Sequence, residues 1–333
     1  MCERVVVNKT RWQVMGYKAL VLLVGEAWVA PPAGSRLAEV LRALQQVGGH
    51  VKVKLLPSSD DLNTAAVAQV ARLYACLVGG IGDDEYLLTT DADLIPLDVQ
   101  HFSTDRNDER EIHLFNAMCC APLELPEGGI EAATRNIAQV KLGASDVMRG
   151  VGVHGDHRLL HLPISYAGAS ARVWRELMAL SRQDEDGLVE GGVERGDLLR
   201  LAVEARLVHE LGSERAHMNL ADNHRHADMD MWHLDQRLLS AKVAAWRGFP
   251  ELTEMIVRYG HRDRVDRMHW SVPSSLNGYI DAHLPQPGFS PDNWAVTRPL
   301  FELVLRPLAK AAEIMTWVDS YHTAFVQAHS NDY

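Results

Sequence analysis

The chain has 333 residues, and 33 Lys and Arg against 44 Asp and Glu leave a formal net charge of −11. With 47% hydrophobic and 23% charged residues it reads as one large globular domain or two closely packed ones, and not as a disordered, collagenous or coiled-coil protein. The acidic balance argues against a nucleic-acid partner, because phosphate binding draws on Lys and Arg clustered on one face, and no such cluster is present.

The apolar run Ala19 to Gly25 is closed by Lys18 and Glu26 and falls short of the ~20 residues of a spanning helix, so no transmembrane segment is expected, and no signal peptide precedes it. Cys2, Cys76, Cys119 and Cys120 have neither disulfide-framework nor metal-knuckle spacing. They read as thiols in a reducing compartment, which predicts a cytoplasmic protein.

Only Arg4 to Val7 precedes the first helical pattern, so a first strand is either very short or absent. Tyr17 to Gly25 is a near-continuous apolar run ended by Gly, the pattern of a strand buried on both faces. Arg36 to Val47 places Leu37, Val40, Leu41, Leu44 and Val47 at helical spacing and stops at Gly48 and Gly49. A strand follows at His50 to Leu56. The next helix, capped by Ser59 or Asp60, runs through Ala65, Val67, Val70, Leu73, Tyr74 and Leu77. Glu85 to Thr90 is a third strand. This alternation predicts an α/β fold with a mostly parallel sheet, helices on both faces and ligands at the carboxyl ends of the strands.

Beyond Leu97 the pattern predicts a strand at Glu111 to Met118, a loop-rich stretch to about Gly155, and a strand at His161 to Ala167. Helices are expected at Ser170 to Ser181, Asp197 to Leu211 and Trp232 to Trp246. A short strand follows at Tyr279 to Leu284, and the tail from Asn293 to Val326 is mainly helical. Gln183 to Gly196, acidic and Gly-rich, reads as a solvated loop.

The segment that carries chemistry is YLLTTDADLIPL, Tyr86 to Leu97. An apolar strand delivers Asp91 and Asp93 at its carboxyl end, and Leu-Ile-Pro returns the chain to the core. Two carboxylates separated by one small residue can share a divalent cation, which prefers hard oxygen ligands and would neutralise a diphosphate. The plain alternative is a turn in which the two Asp are only turn formers. Haloacid-dehalogenase phosphatases also carry DxD after a strand but need Thr or Val where this chain has Ile95.

With this motif the sequence resembles the GT-A glycosyltransferases, over about Tyr17 to His283. Besides TTDAD, Trp232 to Leu238 (WHLDQRL) looks like the Asp-Gln pair placed near the donor sugar in several families of this fold. Tyr279 to Pro285 (YIDAHLP) carries a His on a late strand, matching the family habit of returning a His to the metal. The resemblance implies a GT-A, Rossmann-like domain over residues 1–287 and a helical C-terminal extension over 288–333. It implies Mn²⁺ or Mg²⁺ on Asp91, Asp93 and His283, a nucleoside-diphosphate sugar such as a UDP- or GDP-sugar as donor, and a glycan or other hydroxyl acceptor. Asp235 and Gln236 would flank the reacting carbon. Asp235 would deprotonate the acceptor, giving inversion, or stabilise an oxocarbenium-like charge, giving retention; the Asp-Gln pair leans toward retention. Asp281 alternates with His283 and would share its face, so spacing leaves open which of them approaches the ion.

The residues also admit other readings. Asp235 suits the first turn of a helix electrostatically, and a lone His283 is often structural. YAGAS, Tyr166 to Ser170, resembles the small-residue turn that abuts the donor sugar, with Tyr166 beside it and Gly168 permitting close approach. Arg72 and the backbone at Ala92 are further candidates for donor contact. The knot Arg262, Arg264 and Arg267 either complements phosphate or pairs with Asp263 and Asp266. His217, His224, His226 and His233, interleaved with Asp222, Asp228 and Asp230, match no zinc spacing and read as a polar acceptor loop. Trp317, Tyr321, Phe325 and their neighbours read as core, while Trp294 could line an acceptor groove. The competing functions are a sugar nucleotidyltransferase, which would need a Gly-rich basic signature absent near Arg4 to Gly25, and an inactive nucleotide- or carbohydrate-binding protein on the same fold.

Overall fold

A computed structural model of the chain describes residues 10–28, 30–46, 51–56, 64–103, 110–115, 123–135, 141–142, 158–159, 161–178, 180, 233–246, 256–258, 263–286 and 290–328. In chain order, strand β1 (Ala19–Val24), helix α1 (Arg36–Gln46) and strand β2 (Val51–Leu56) form where the apolar patterning predicts them. Helix α2 (Thr64–Ala71) tightens into a 3-10 segment at Arg72–Leu77, and strands β3 (Tyr86–Leu88) and β4 (Leu94–Pro96) flank the two aspartates.

Strand β5 (Ile112–Leu114) lies within the strand expected at Glu111 to Met118, of which residues 116–118 lie outside the described residues. The stretch expected to be loop-rich holds helix α3 (Gly129–Arg135) and two short strands, β6 (Leu123–Glu124) and β7 (Lys141–Leu142), and a third, β8 (Arg158–Leu159), follows it. The strand expected at His161 to Ala167 lies further along. Ile164–Tyr166 is a 3-10 turn, and strand β9 is Ala167–Ser170. Ser170 then caps helix α4 (Ala171–Leu177) by accepting from the Val173 amide. Helix α5 (Leu234–Ala245), strands β10 (Ile256–Arg258), β11 (Asp263–Val265) and β12 (Tyr279–His283), and helices α6 (Pro291–Leu305) and α7 (Ala311–Ala328) complete the order. The expected elements at Arg4 to Val7 and Asp197 to Leu211, the caps Ser59 and Asp60, the loop Gln183 to Gly196, and Cys2, Cys119 and Cys120 lie outside the described residues. Cys76 is buried.

The class is mixed α/β, and the expected mostly parallel sheet is not what the described strands form. β1 pairs with β2 in parallel. A second sheet has the order β10-β5-β9-β3, in which β9 runs antiparallel to both neighbours. A third has the order β11-β12-β4, with β12 antiparallel to β4, and β7-β6-β8 is wholly antiparallel. The reason is physical: apolar alternation says which faces of a strand are buried but carries no information about its direction, which the connections decide.

The largest core cluster sets α2, α4 and α5 against β5 and β9, through Val67, Val70, Leu114, Ala167, Ala169, Val173, Leu238 and Leu239. A second joins Ile95 and Ala282 of the third sheet, and Leu284 just past β12, to Leu300, Phe301, Val304 and Val318 of α6 and α7, so the C-terminal helices cover that sheet. Full burial of each Val, Leu, Ile or Phe side chain among them contributes roughly 1.5–3 kcal/mol. Among the described residues no helix is long and apolar enough to cross a membrane.

Candidate functional site

Two antiparallel pairings build the site. On one side of the DxD turn, Leu88 of β3 lies opposite Gly168, and the Thr89 amide donates to the Ala167 carbonyl at 2.9 Å. On the other, Leu94 of β4 lies opposite His283, and the Leu284 amide donates to the Asp93 carbonyl at 2.9 Å. Buried Leu94, Ile95 and Pro96 fix the chain after the turn. Arg11, itself buried, clamps it further by donating to the Pro96 and Leu97 carbonyls at 3.2 and 2.7 Å.

The two aspartates face different partners. Asp91 receives the Arg72 guanidinium on Oδ1 and the Ser165 hydroxyl on Oδ2 at 2.9 Å. The same guanidinium reaches across to Asp235, donating from Nε to Oδ2 at 3.0 Å and from Nη2 to the same oxygen. Arg72 thus bridges the DxD turn to the first turn of α5. Arg72 is the first residue of the 3-10 segment that follows α2. Asp235 is only 1% exposed, and burial, reinforced by the Asp91 charge, raises its carboxyl above the ordinary value although Arg72 pulls the other way. Its Oδ1 accepts from the Gln236 amide at 2.8 Å. Gln236 is half-buried on that turn, and its carbonyl accepts from the Ser240 hydroxyl.

Asp93 collects its contacts on Oδ2: Gln286 donates at 2.9 Å, Arg267 approaches to 3.4 Å, and His283 Nε2 lies at 3.4 Å. Burial alone would raise this carboxyl, but hydrogen bonding from His283 and Gln286 and the positive charge of His283 and Arg267 hold it at about 2. His283 Nδ1 faces Asp266 Oδ2 at 4.0 Å. Asp281, which spacing left as a rival to His283, is completely buried and taken by Arg264 in a two-pronged pair at 2.6 and 2.5 Å. The imidazole, not Asp281, meets the DxD turn.

The remaining candidates separate. Ala92 is exposed at the tip of the turn. Tyr166 is buried against Trp12 and Phe102, and burial, with the Asp281 charge second among the groups that oppose ionisation, pushes its phenol well above the ordinary value. The space beside Gly168 is filled by Tyr86: a Cβ there would sit against Tyr86 Oη and 2.6 Å from its Cζ. In the basic knot, Arg264 and Arg267 pair with Asp281 and Asp93, while the Asp263 side chain lies outside the described residues. Arg262 and the His-rich segment before His233 lie outside the described residues. Trp294 stacks on His322 with ring centroids 4.4 Å apart. Ser165 and Gln286 were missed by motif reasoning; nothing marks either except proximity in sequence to a motif residue.

Among the described residues no group of three or more His, Cys, Asp or Glu side chains is disposed to hold a metal ion. Of the three expected ligands, Asp93 and His283 converge while Asp91 is engaged by Arg72 and Ser165. One hard oxygen and one imidazole nitrogen at a strand end would suit a divalent cation by donor type, and they are two of the three expected ligands.

Fold and site together define a mixed α/β protein with an arginine-bridged carboxylate system beside a carboxylate–imidazole pair at the strand ends. Compared with protein-family models, curated proteins and solved structures, the chain matches none of them.

Proposed function

We propose that the protein is a metal-dependent GT-A-type glycosyltransferase, which moves a sugar from a UDP- or GDP-sugar to a hydroxyl of a glycan or other acceptor in the cytoplasm. The observation that carries this reading is the convergence of three sequence-distant motifs: Asp91 is joined to Asp235 through Arg72, and Asp93 meets His283 at 3.4 Å. A cation held by Asp93 and His283, Mn²⁺ or Mg²⁺, would supply Lewis-acid stabilisation to the departing diphosphate. Exposed Ala92 leaves the backbone of the turn open to the donor.

Asp235 is poorly placed to remove a proton from an acceptor, because it is buried and both of its oxygens already accept hydrogen bonds. The Asp235–Arg72–Asp91 chain suits a different task, holding fixed charge beside a carbon that becomes cationic. That supports retention over inversion. Donor and acceptor held side by side would supply much of the rate through orientation.

The test is a screen of UDP- and GDP-sugars for Mn²⁺-dependent transfer or hydrolysis by the wild type, Asp93→Ala and Asp235→Ala. Turnover in the wild type and its loss in both variants is the expected result. If no donor is turned over and none raises the melting temperature with metal present, the proposal fails. Donor binding without turnover would point to a binding protein, and pyrophosphate release from a nucleoside triphosphate and a sugar phosphate to nucleotidyl transfer.

A further inference from the structure

Among the described residues, Arg72 and Arg267 each pair with one of the two aspartates and Arg264 with Asp281 on the adjoining strand, and they are committed to very different degrees. Arg72 is held between Asp91 and Asp235. Arg264 is locked to buried Asp281 by two short hydrogen bonds. Arg267 has one long contact, 3.4 Å from Nη1 to Asp93 Oδ2, and its side chain is 36% exposed. It sits at the start of a 3-10 turn, Arg267–His269, fixed by Asp266, whose carboxylate accepts from the Met268 amide at 2.8 Å. The backbone carrying Arg267 is therefore anchored while its guanidinium has donors to spare.

The oxygen that Arg267 approaches is the one that also faces His283 Nε2. A divalent cation shared by Asp93 and His283 would compete with the guanidinium for that carboxylate, and two positive groups at one oxygen repel. The geometry points to Arg267 as an exchangeable counter-ion of Asp93, which yields to the divalent cation and then takes the diphosphate of the donor. A guanidinium fork matches phosphate oxygens, and the turn that carries Arg267 borders the metal pair. This inference rests on the glycosyltransferase reading and adds the residue that binds the donor's diphosphate.

The idea makes two predictions of opposite sign for one substitution. In Arg267→Ala, Mn²⁺ alone should bind roughly two- to fivefold more tightly, the range expected for loss of a competing exposed ion pair. UDP or GDP in saturating Mn²⁺ should bind about tenfold more weakly, the loss of a charge-assisted hydrogen bond. Arg267→Lys should restore the wild-type Mn²⁺ affinity but only part of the nucleotide affinity, because an ammonium lacks the fork. Arg306→Ala, which removes another exposed arginine, should change neither. Titration calorimetry on the full chain reads both quantities without turnover. If Arg267→Ala leaves both affinities as in the wild type, or shifts both in the same direction, Arg267 does not exchange and the inference is overturned. If the wild type itself binds neither Mn²⁺ nor UDP or GDP, the glycosyltransferase reading falls and this inference with it.

Discussion

Arg72 donates from Nε to Oδ2 of Asp235, 163 residues further along the chain, at 3.0 Å, and the same guanidinium holds Asp91. A cation between two carboxylates, one of them 1% exposed, is what lets both charges coexist. Removing it in Arg72→Met should destabilise the protein by about 3 kcal/mol, the low end for breaking a buried pair because Arg72 itself is partly exposed. A pH dependence should accompany the loss. Asp235 has a raised folded-state pKa, so its contribution is fully present below the unfolded carboxyl value of about 3.9 and is lost as pH rises through the folded value. Without Arg72 that value rises further, and the variant should regain stability relative to the wild type on acidification from neutral pH. Urea midpoints measured across that range check this; parallel curves for the two proteins would refute it.

Gly168 and Tyr86 make a second prediction. A methyl at Gly168 would run into the Tyr86 ring, whose hydroxyl is tied to His113 Nδ1 at 2.9 Å. Gly168→Ala should cost about 1–3 kcal/mol as an overpacked site. Tyr86→Leu shortens the obstructing side chain, so the double variant should be more stable than the sum of the single effects allows. Additivity in that cycle would show that the two side chains do not compete for space.

His283 and Asp281, neighbours on one strand face, should behave oppositely. Asp281→Ala leaves Arg264 without its partner and should cost about 3–5 kcal/mol in denaturant unfolding. His283→Ala removes an imidazole that is 20% exposed and should cost less than about 1 kcal/mol, yet abolish the rise in melting temperature with Mn²⁺ that the proposed function expects. Retention of that rise would remove His283 from the metal site.

Arg11 is buried with both hydrogen bonds on backbone carbonyls just beyond the DxD turn. Arg11→Met keeps the aliphatic length but leaves the Pro96 and Leu97 carbonyls without these bonds. The expected loss is about 1.5–3 kcal/mol, with faster amide exchange at Leu94 and Ile95. Wild-type exchange there would mean that β4 is held by its pairing with β12 alone.

How much of this was legible beforehand varies with the kind of information each feature needs. Helix α1, strands β1 and β12 and the helices of the C-terminal segment lie where apolar periodicity puts them, because burial of a face is written locally in residue spacing. His161 to Ala167 misled because its apolar run suits a buried 3-10 turn as well as a strand. Gly168 suggests room for a ligand, whereas the neighbouring strand supplies the tyrosine that fills it.

The sequence by itself determined the charge balance, the main helices and strands, and the three motifs that carry the chemical reading, since each is a matter of residue type and local spacing. Only the tertiary structure decided which of those residues meet. Antiparallel pairing of β12 with β4 puts His283, and not Asp281, against Asp93. The packing of α2 against α5 lets Arg72 reach Asp235. Strand direction and long-range register are fixed by how the whole chain closes its backbone hydrogen bonds and buries its apolar faces, and no local window of sequence contains that sum.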